Sequence, residues 1–257
     1  MTLGKRNAWL GMLTGLALTA CASVPAPTPA EGKAMPTRQD TGTANQLLKN
    51  DFDRMADIEL AENRQSLQIL MRKLYKRNPQ ELAKSTAYFA DKTADKTQDT
   101  ADKRVDWLFN NETQHGWQFK EIHNLQGTDA IYLAFKADYT GDRVLPFIVG
   151  LYTMLEKAHG HKKAFFLTDS IHPQSIYNVA RNIEIAAWKL ASSRNANGAL
   201  YLLSNEANPQ AVNLSFEREF GKMIGRTDLF AFLLAEKSQR LISRITQSLA
   251  TAVFLPF

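Results

Sequence analysis

Tyr177, Arg181, Glu184 and Trp188 stand at spacings of four, three and four. On a helix those steps keep the side chains on one face, so Arg181 and Glu184 can pair with an aromatic ring at each end of the row. Asn178 and Asn182 flank them. One reading is a binding surface, because Tyr, Trp and Arg dominate interface hot spots. The other is a polar pair buried between helices with the rings packed around it. A helix inside a bundle is covered on both sides, which favours burial, Trp188 included.

Two other groups carry chemistry-bearing side chains. His159-Gly160-His161 precedes Asp169 and His172. Imidazole and carboxylate suit zinc or copper. A spacing of two around glycine is not a structural-zinc pattern, however. The expectation is two histidines that meet the negative end of a helix and then face water, with no metal site. Asp138-Tyr139-Thr140-Gly141-Asp142 brings two carboxylates to a turn. It lacks the alternating acidic ligands of a calcium loop, and Asp142 reads as a helix cap. The signatures G-x-S-x-G, S-x-x-K, H-E-x-x-H and G-x-x-x-x-G-K are all absent. No catalytic residue and no cofactor are assigned. A glycan-cleaving enzyme needs paired carboxylates across a cleft, and sequence does not place them.

The elements that position these residues read as helices. Leu48, Phe52 and Met55, then Leu67, Leu70 and Leu74, repeat at helical intervals from Ala44 onward, around a polar middle at 62–66. Pro79 ends that helix near Asn78 and opens the next, with Asn78 as its cap. Residues 90–103 repeat Ala-Asp-Lys and read as a solvated helix or loop. Val105–Phe109 resumes the core. Gly116 and Gly127 bracket an irregular piece containing Trp117, Phe119 and Ile122. Helices are expected after Thr128 and after Gly141, the second with a stripe of Val144, Phe147, Ile148, Leu151 and Leu155 and a stop at Gly160. The strongest pattern follows Pro173, where Ile176, Val179, Ala180, Ile183, Ala187 and Leu190 hold one face. Ala199–Leu203 fits a short strand or a loop. A last helix is expected from Asp228 to about Val253, striped by Phe230, Leu234, Leu241, Ile245, Leu249 and Ala252. No strand–turn repetition and no strand–helix alternation occurs. The expected fold is all-α, an irregular helical bundle of about seven or eight helices over residues 44–257.

Ahead of that domain, Lys5 and Arg6 precede a short apolar run, Ala8–Leu18, and then Leu18-Thr19-Ala20-Cys21. The run is too short to cross a bilayer, which takes about 20 residues. A charged start, an apolar middle and small residues before a cut make a secretory signal peptide. With the chain's single cysteine placed after the cut, this segment resembles the lipobox of bacterial lipoproteins. That resemblance implies removal of residues 1–20, a diacylglycerol on Cys21 and a lipid-anchored mature chain. Ala22 in place of aspartate implies sorting to the outer membrane, facing the periplasm. Residues 21–43 then read as the lipidated start and a tether, since prolines 25, 27 and 29 favour extended polyproline geometry.

The remaining sequence bounds function loosely. Hydrophobic residues make up 44% and charged residues 22%, ordinary for a globular domain. Losing Lys5 and Arg6 takes two from the net charge of +5 and leaves +3. That balance, with a periplasmic address, argues against a nucleic-acid partner. The expected function is a lipid-anchored, non-enzymatic accessory or scaffold for an envelope assembly, partnered by the membrane and by an envelope protein. Two alternatives stay open: a peptidoglycan- or glycan-active hydrolase using Asp or Glu, and a carrier of a small apolar ligand.

Overall fold

A computed structural model of the chain describes residues 49–89, 100–165, 171–208, 211–239, 242 and 253–257. The expected signal segment with Cys21, the tether, most of the Ala-Asp-Lys repeat and Asp169 lie outside the described residues. The described residues belong to one compact unit, Gly42–Phe257. They form the expected all-α bundle, with eight α-helices. These are α1 (Asp51–Arg77), α2 (Pro79–Phe89), α3 (Ala101–Asn110), α4 (Glu112–His115), α5 (Gly127–Ala134), α6 (Val144–Ala158), α7 (Pro173–Ser192) and α8 (Ser215–Ser238). A 3-10 turn, Lys120–Ile122, lies between α4 and α5.

The four long helices close a ring. α1 packs on α6, α6 on α7, α7 on α8, and α8 returns to α1. α5 lies along α6, and α2 and α3 lie on α1. Apolar burial drives this arrangement, and α6 takes the central place because its run Val144–Leu151 is apolar throughout. Thirteen of its residues are buried, against the five of the expected stripe. Gly150 permits the closest approach. A Cβ there would meet Gly127 O at 2.5 Å and Ile131 Cγ1 at 2.6 Å.

The first helix begins seven residues later than its pattern suggests. Asn50 Oδ1 accepts from Asp53 N, and Asn50 N donates to Asp53 Oδ2, both at 2.9 Å. This reciprocal capping box starts the helix at Asp51. Pro79 does separate α1 from α2. Asn78 has a different use from the expected cap: its side chain donates to Leu203 O at 2.9 Å and accepts from Leu203 N at 2.7 Å, holding the 203 loop.

Part of the polar middle of α1, with Glu59 one turn before it, faces inward. Glu59, Asn63 and Ser66 are buried. Glu59 Oε1 accepts from Asn63 Nδ2 at 2.5 Å and from Thr227 Oγ1 at 2.7 Å. Asn63 Oδ1 accepts from Arg226 Nη2 at 3.0 Å, and the same nitrogen donates to Ser66 Oγ at 2.8 Å. Groups of this kind need partners when buried, and α1 and α8 supply them to each other.

The last described helix departs from its expected bounds at both ends. It starts at Ser215, thirteen residues before Asp228, and ends at Ser238, where Gln239 adopts positive φ. Gly221 and Gly225 lower its propensity. Burial of Phe216, Phe220, Met223 and Phe230 on one face outweighs them. Positions 241, 245, 249 and 252 of the expected stripe lie outside the described residues. Ahead of α8 stands the hairpin β1 (Glu206–Asn208) with β2 (Ala211–Asn213), antiparallel with Glu206 opposite Asn213. The sequence reading contains no such hairpin. Asn205, just before it, accepts from Phe216 N at 3.2 Å and so caps α8 across the hairpin. No described helix is long and apolar enough to cross a membrane.

Candidate functional site

The Tyr177–Trp188 row lies on α7, and tertiary structure adds a fifth member. Arg181 pairs with Glu184 at 2.9 Å and, from α8, with Asp228. Its guanidinium lies 5.1 Å from the Tyr177 ring centroid. Tyr177 is buried and faces Phe232 of α8. Burial raises the Glu184 carboxyl above its ordinary range, Arg181 draws it back, and Asp228 raises it again. The Asp228 carboxyl is raised by burial as well, against the pull of Arg181. This is a charged clasp between α7 and α8. Trp188 departs from the expected burial, being only half-buried.

The histidine group divides. His159 is buried rather than turned to water. Its Nε2 lies 2.9 Å from Glu59 Oε2, and its Nδ1 donates to Leu155 O at 2.8 Å. The Nε2 contact is close without hydrogen-bond alignment, since neither atom has an aligned partner. The ring lies parallel to Phe230 at 5.8 Å. Burial disfavours the charged imidazole, but Glu59 and Leu155 O outweigh it and hold the His159 pKa above its usual value. His161 and His172 stay exposed. Among the described residues no group of three or more His, Cys, Asp or Glu is placed to hold a metal ion.

Asp138 and Asp142 are not brought together. Asp138 is exposed and Asp142 is buried. Asp142 stands one position ahead of the N-cap residue, Arg143, rather than at the cap itself; its Oδ1 accepts from Val144 N at 2.8 Å and its Oδ2 from Tyr75 Oη at 2.6 Å. Burial pushes its carboxyl up to about 7, although both hydrogen bonds favour ionisation.

The site that combines a cavity with unlike carboxylates was not visible in the sequence. A cleft of about 370 Å³ is lined by Glu112, Trp117, Gln126, Glu156, His161 and Lys163, among others. Glu112 comes from α4, Glu156 from the last turns of α6, and His161 and Lys163 from the segment that follows. Gly116 and Trp117 both take positive φ, a turn that carries the indole inward. Trp117 stacks on Tyr152 at 4.0 Å and 26°. Its backbone N donates to His115 Nδ1 at 2.9 Å, while His115 Nε2 donates to Leu108 O at 2.9 Å. Those two bonds fix a neutral tautomer, and burial lowers the His115 pKa accordingly. The indole Nε1 has no hydrogen-bond partner among the described residues.

The two carboxylates sit in different environments. Glu112 Oε1 accepts from Arg64 Nη2 at 2.9 Å and from Tyr152 Oη at 3.3 Å, and Oε2 pairs with Lys163. Glu156 is raised by burial, with His161 and Lys163 pulling it down and Glu112 pushing it up. His161 Nδ1 is 3.9 Å from Glu156 Oε2. Unlike environments are how paired carboxylates acquire acid and base roles. Here one member is already engaged by two cations and a phenol. No sequence motif announced this pair, because Glu112 and Glu156 are 44 positions apart and ordinary in their local context.

Comparison of the chain with protein-family models, with curated proteins and with solved structures gave no match.

Proposed function

We propose that this protein is a lipid-anchored component of the bacterial envelope, held at the outer membrane through Cys21, whose helical domain serves an envelope assembly as a non-enzymatic accessory. The lipobox-like Leu18–Cys21 segment supports the anchor. The observation that favours accessory over enzyme is the state of Glu112. Both of its oxygens are engaged, by Arg64 and Tyr152 on one side and Lys163 on the other. A glycosidase uses its second carboxylate as a base towards water or as a nucleophile towards the sugar, whereas Glu112 has both oxygens committed to partners on its own chain.

Glu156 keeps the hydrolase alternative in view, because its half-buried carboxyl is held above the ordinary range and suits a general acid. Two experiments separate the readings. Crosslinking in living cells is expected to capture a reproducible envelope protein. Purified protein incubated with cell-wall sacculi is expected to release no soluble fragments. Release that disappears in Glu156→Gln would replace the accessory reading with the enzymatic one.

A further inference from the structure

Residues 253–257 form a strap without helix or strand, lying against α5, α6 and α7. The strap is held chiefly through its backbone. Asn182 Nδ2 donates to Leu255 O at 2.8 Å, and Asn182 Oδ1 accepts from Leu255 N at 2.6 Å. Asn178 Nδ2 donates to Pro256 O at 2.7 Å. Both asparagines are buried. A carboxamide that reads the N–H and C=O of one residue together recognises any extended segment, in the way a strand edge does.

Two aromatic side chains set the register. Phe254 meets Tyr132 edge-on at 4.9 Å. Phe257 reaches Gly127, where a Cβ would stand 3.1 Å from its Cζ. Lysines face both rings: Lys189 Nζ lies 5.9 Å from the Phe254 centroid and Lys157 Nζ 4.8 Å from that of Phe257.

The strap leaves part of this surface open as a groove. Beside Phe254, Tyr132 and Lys189 also line a cleft of about 540 Å³, together with Leu125, Phe135, Lys136 and Asp129. Lys189 is half-buried there and lies over the Tyr132 ring at 4.9 Å. Among the described residues it has no acidic partner within ion-pair distance, and burial lowers its pKa. Val253, the residue entering the groove, is 60% exposed and carries no charge to offer it.

We propose that this groove is a docking site for an extended segment of a partner protein, bearing two aromatic side chains three positions apart and an acidic residue that reaches Lys189. The strap is its tethered stand-in. A partner must outcompete a segment on the same chain, so binding is conditional on local concentration. This deepens the accessory reading by giving its partner a chemistry, and it rests on that reading only for its place in the cell.

The test uses the full chain in detergent and two labelled peptides, Val-Phe-Leu-Pro-Phe and Glu-Phe-Leu-Pro-Phe. The acidic peptide is expected to bind at least tenfold tighter to the Phe254→Ala/Phe257→Ala protein than to the unaltered one. Lys189→Gln and N-methylation of the peptide's leucine should each weaken it tenfold or more. In the unaltered protein, excess acidic peptide should accelerate hydrogen exchange at the Leu255 amide, which Asn182 holds. That measurement depends on no variant folding. No acceleration would overturn the proposal, as would capture indifferent to both Lys189→Gln and the N-methyl group. Concentration-dependent dimerisation abolished by Phe257→Ala would also overturn it, by making a second copy the occupant. Failure to capture peptide leaves the accessory reading standing, whereas the absence of any envelope partner in cells removes that reading and leaves the groove result intact.

Discussion

Replacing Asp142 by asparagine isolates one buried titration. In the folded chain the carboxyl ionises near 7, against 3.8 for the ordinary group, because burial disfavours its charge. Between those values the folded state holds a proton that the unfolded chain releases. Stability is therefore greatest below the unfolded pKa and falls as pH rises towards the folded one. The shift is about 3 units at 1.36 kcal/mol each, so the loss reaches at most roughly 4 kcal/mol by pH 8. Water entering the ionised site reduces it, and a loss of about 2–4 kcal/mol is expected.

Asparagine imitates the protonated form. Its Oδ1 can still accept from Val144 N, and its Nδ2 can donate to the Tyr75 oxygen while the phenol turns its proton to Ser85 Oγ, 3.4 Å away. Urea unfolding of both proteins at intervals from about pH 4 to pH 8 gives two stability curves. His159 is present in both proteins, so its contribution cancels in the difference. The stability of the native chain should fall relative to Asp142→Asn across this range, most steeply around pH 5 to 6, midway between the two pKa values. Parallel curves would refute the claim that Asp142 is a buried, proton-holding carboxyl.

Gly150→Ala should destabilise by about 1–3 kcal/mol or more in a thermal melt, because the new methyl meets the Gly127 carbonyl and the Ile131 backbone, which have nowhere to move. Ile183→Ala, at a fully buried site, should cost about 2–4 kcal/mol. Trp188→Ala should cost well under the roughly 3–5 kcal/mol of a fully buried aromatic truncation, since this ring is half-buried, and an equal loss at both positions would contradict the packing of α7. Cys21→Ser should abolish labelling by a fatty-acid probe in cells, and persistent labelling would exclude the lipid anchor.

Helix existence was legible where burial follows the local period. The stripe from Ile176 to Leu190 is buried as its 3.6-residue spacing requires. Pro79 and Pro173 sit at the first positions of α2 and α7, because proline fixes φ and has no N–H to lose there. Boundaries were harder. The start of α8 was hidden because only part of its capping is local: Asn213 accepts from Ser215 N, but Asn205 accepts from Phe216 N only once the hairpin has folded the chain back. Two glycines in the helix then masked the pattern that remained.

What the sequence determined by itself was which segments are helical and apolar enough to need one another, a property of local spacing and backbone geometry. Only the tertiary structure decided which polar groups are inside. Glu59 reads as an ordinary helix-surface residue until α6 brings His159 within 2.9 Å. Arg181 has its near partner Glu184 in sequence, and its second, Asp228, lies 47 positions away on another helix. Glu112 and Glu156 share one cleft, and Asn178 and Asn182 grip the 253–257 strap, for the same reason. A polar residue's role depends on which partner arrives, and partner choice is set by the packing of whole helices, driven by apolar area that local sequence does not assign to pairs.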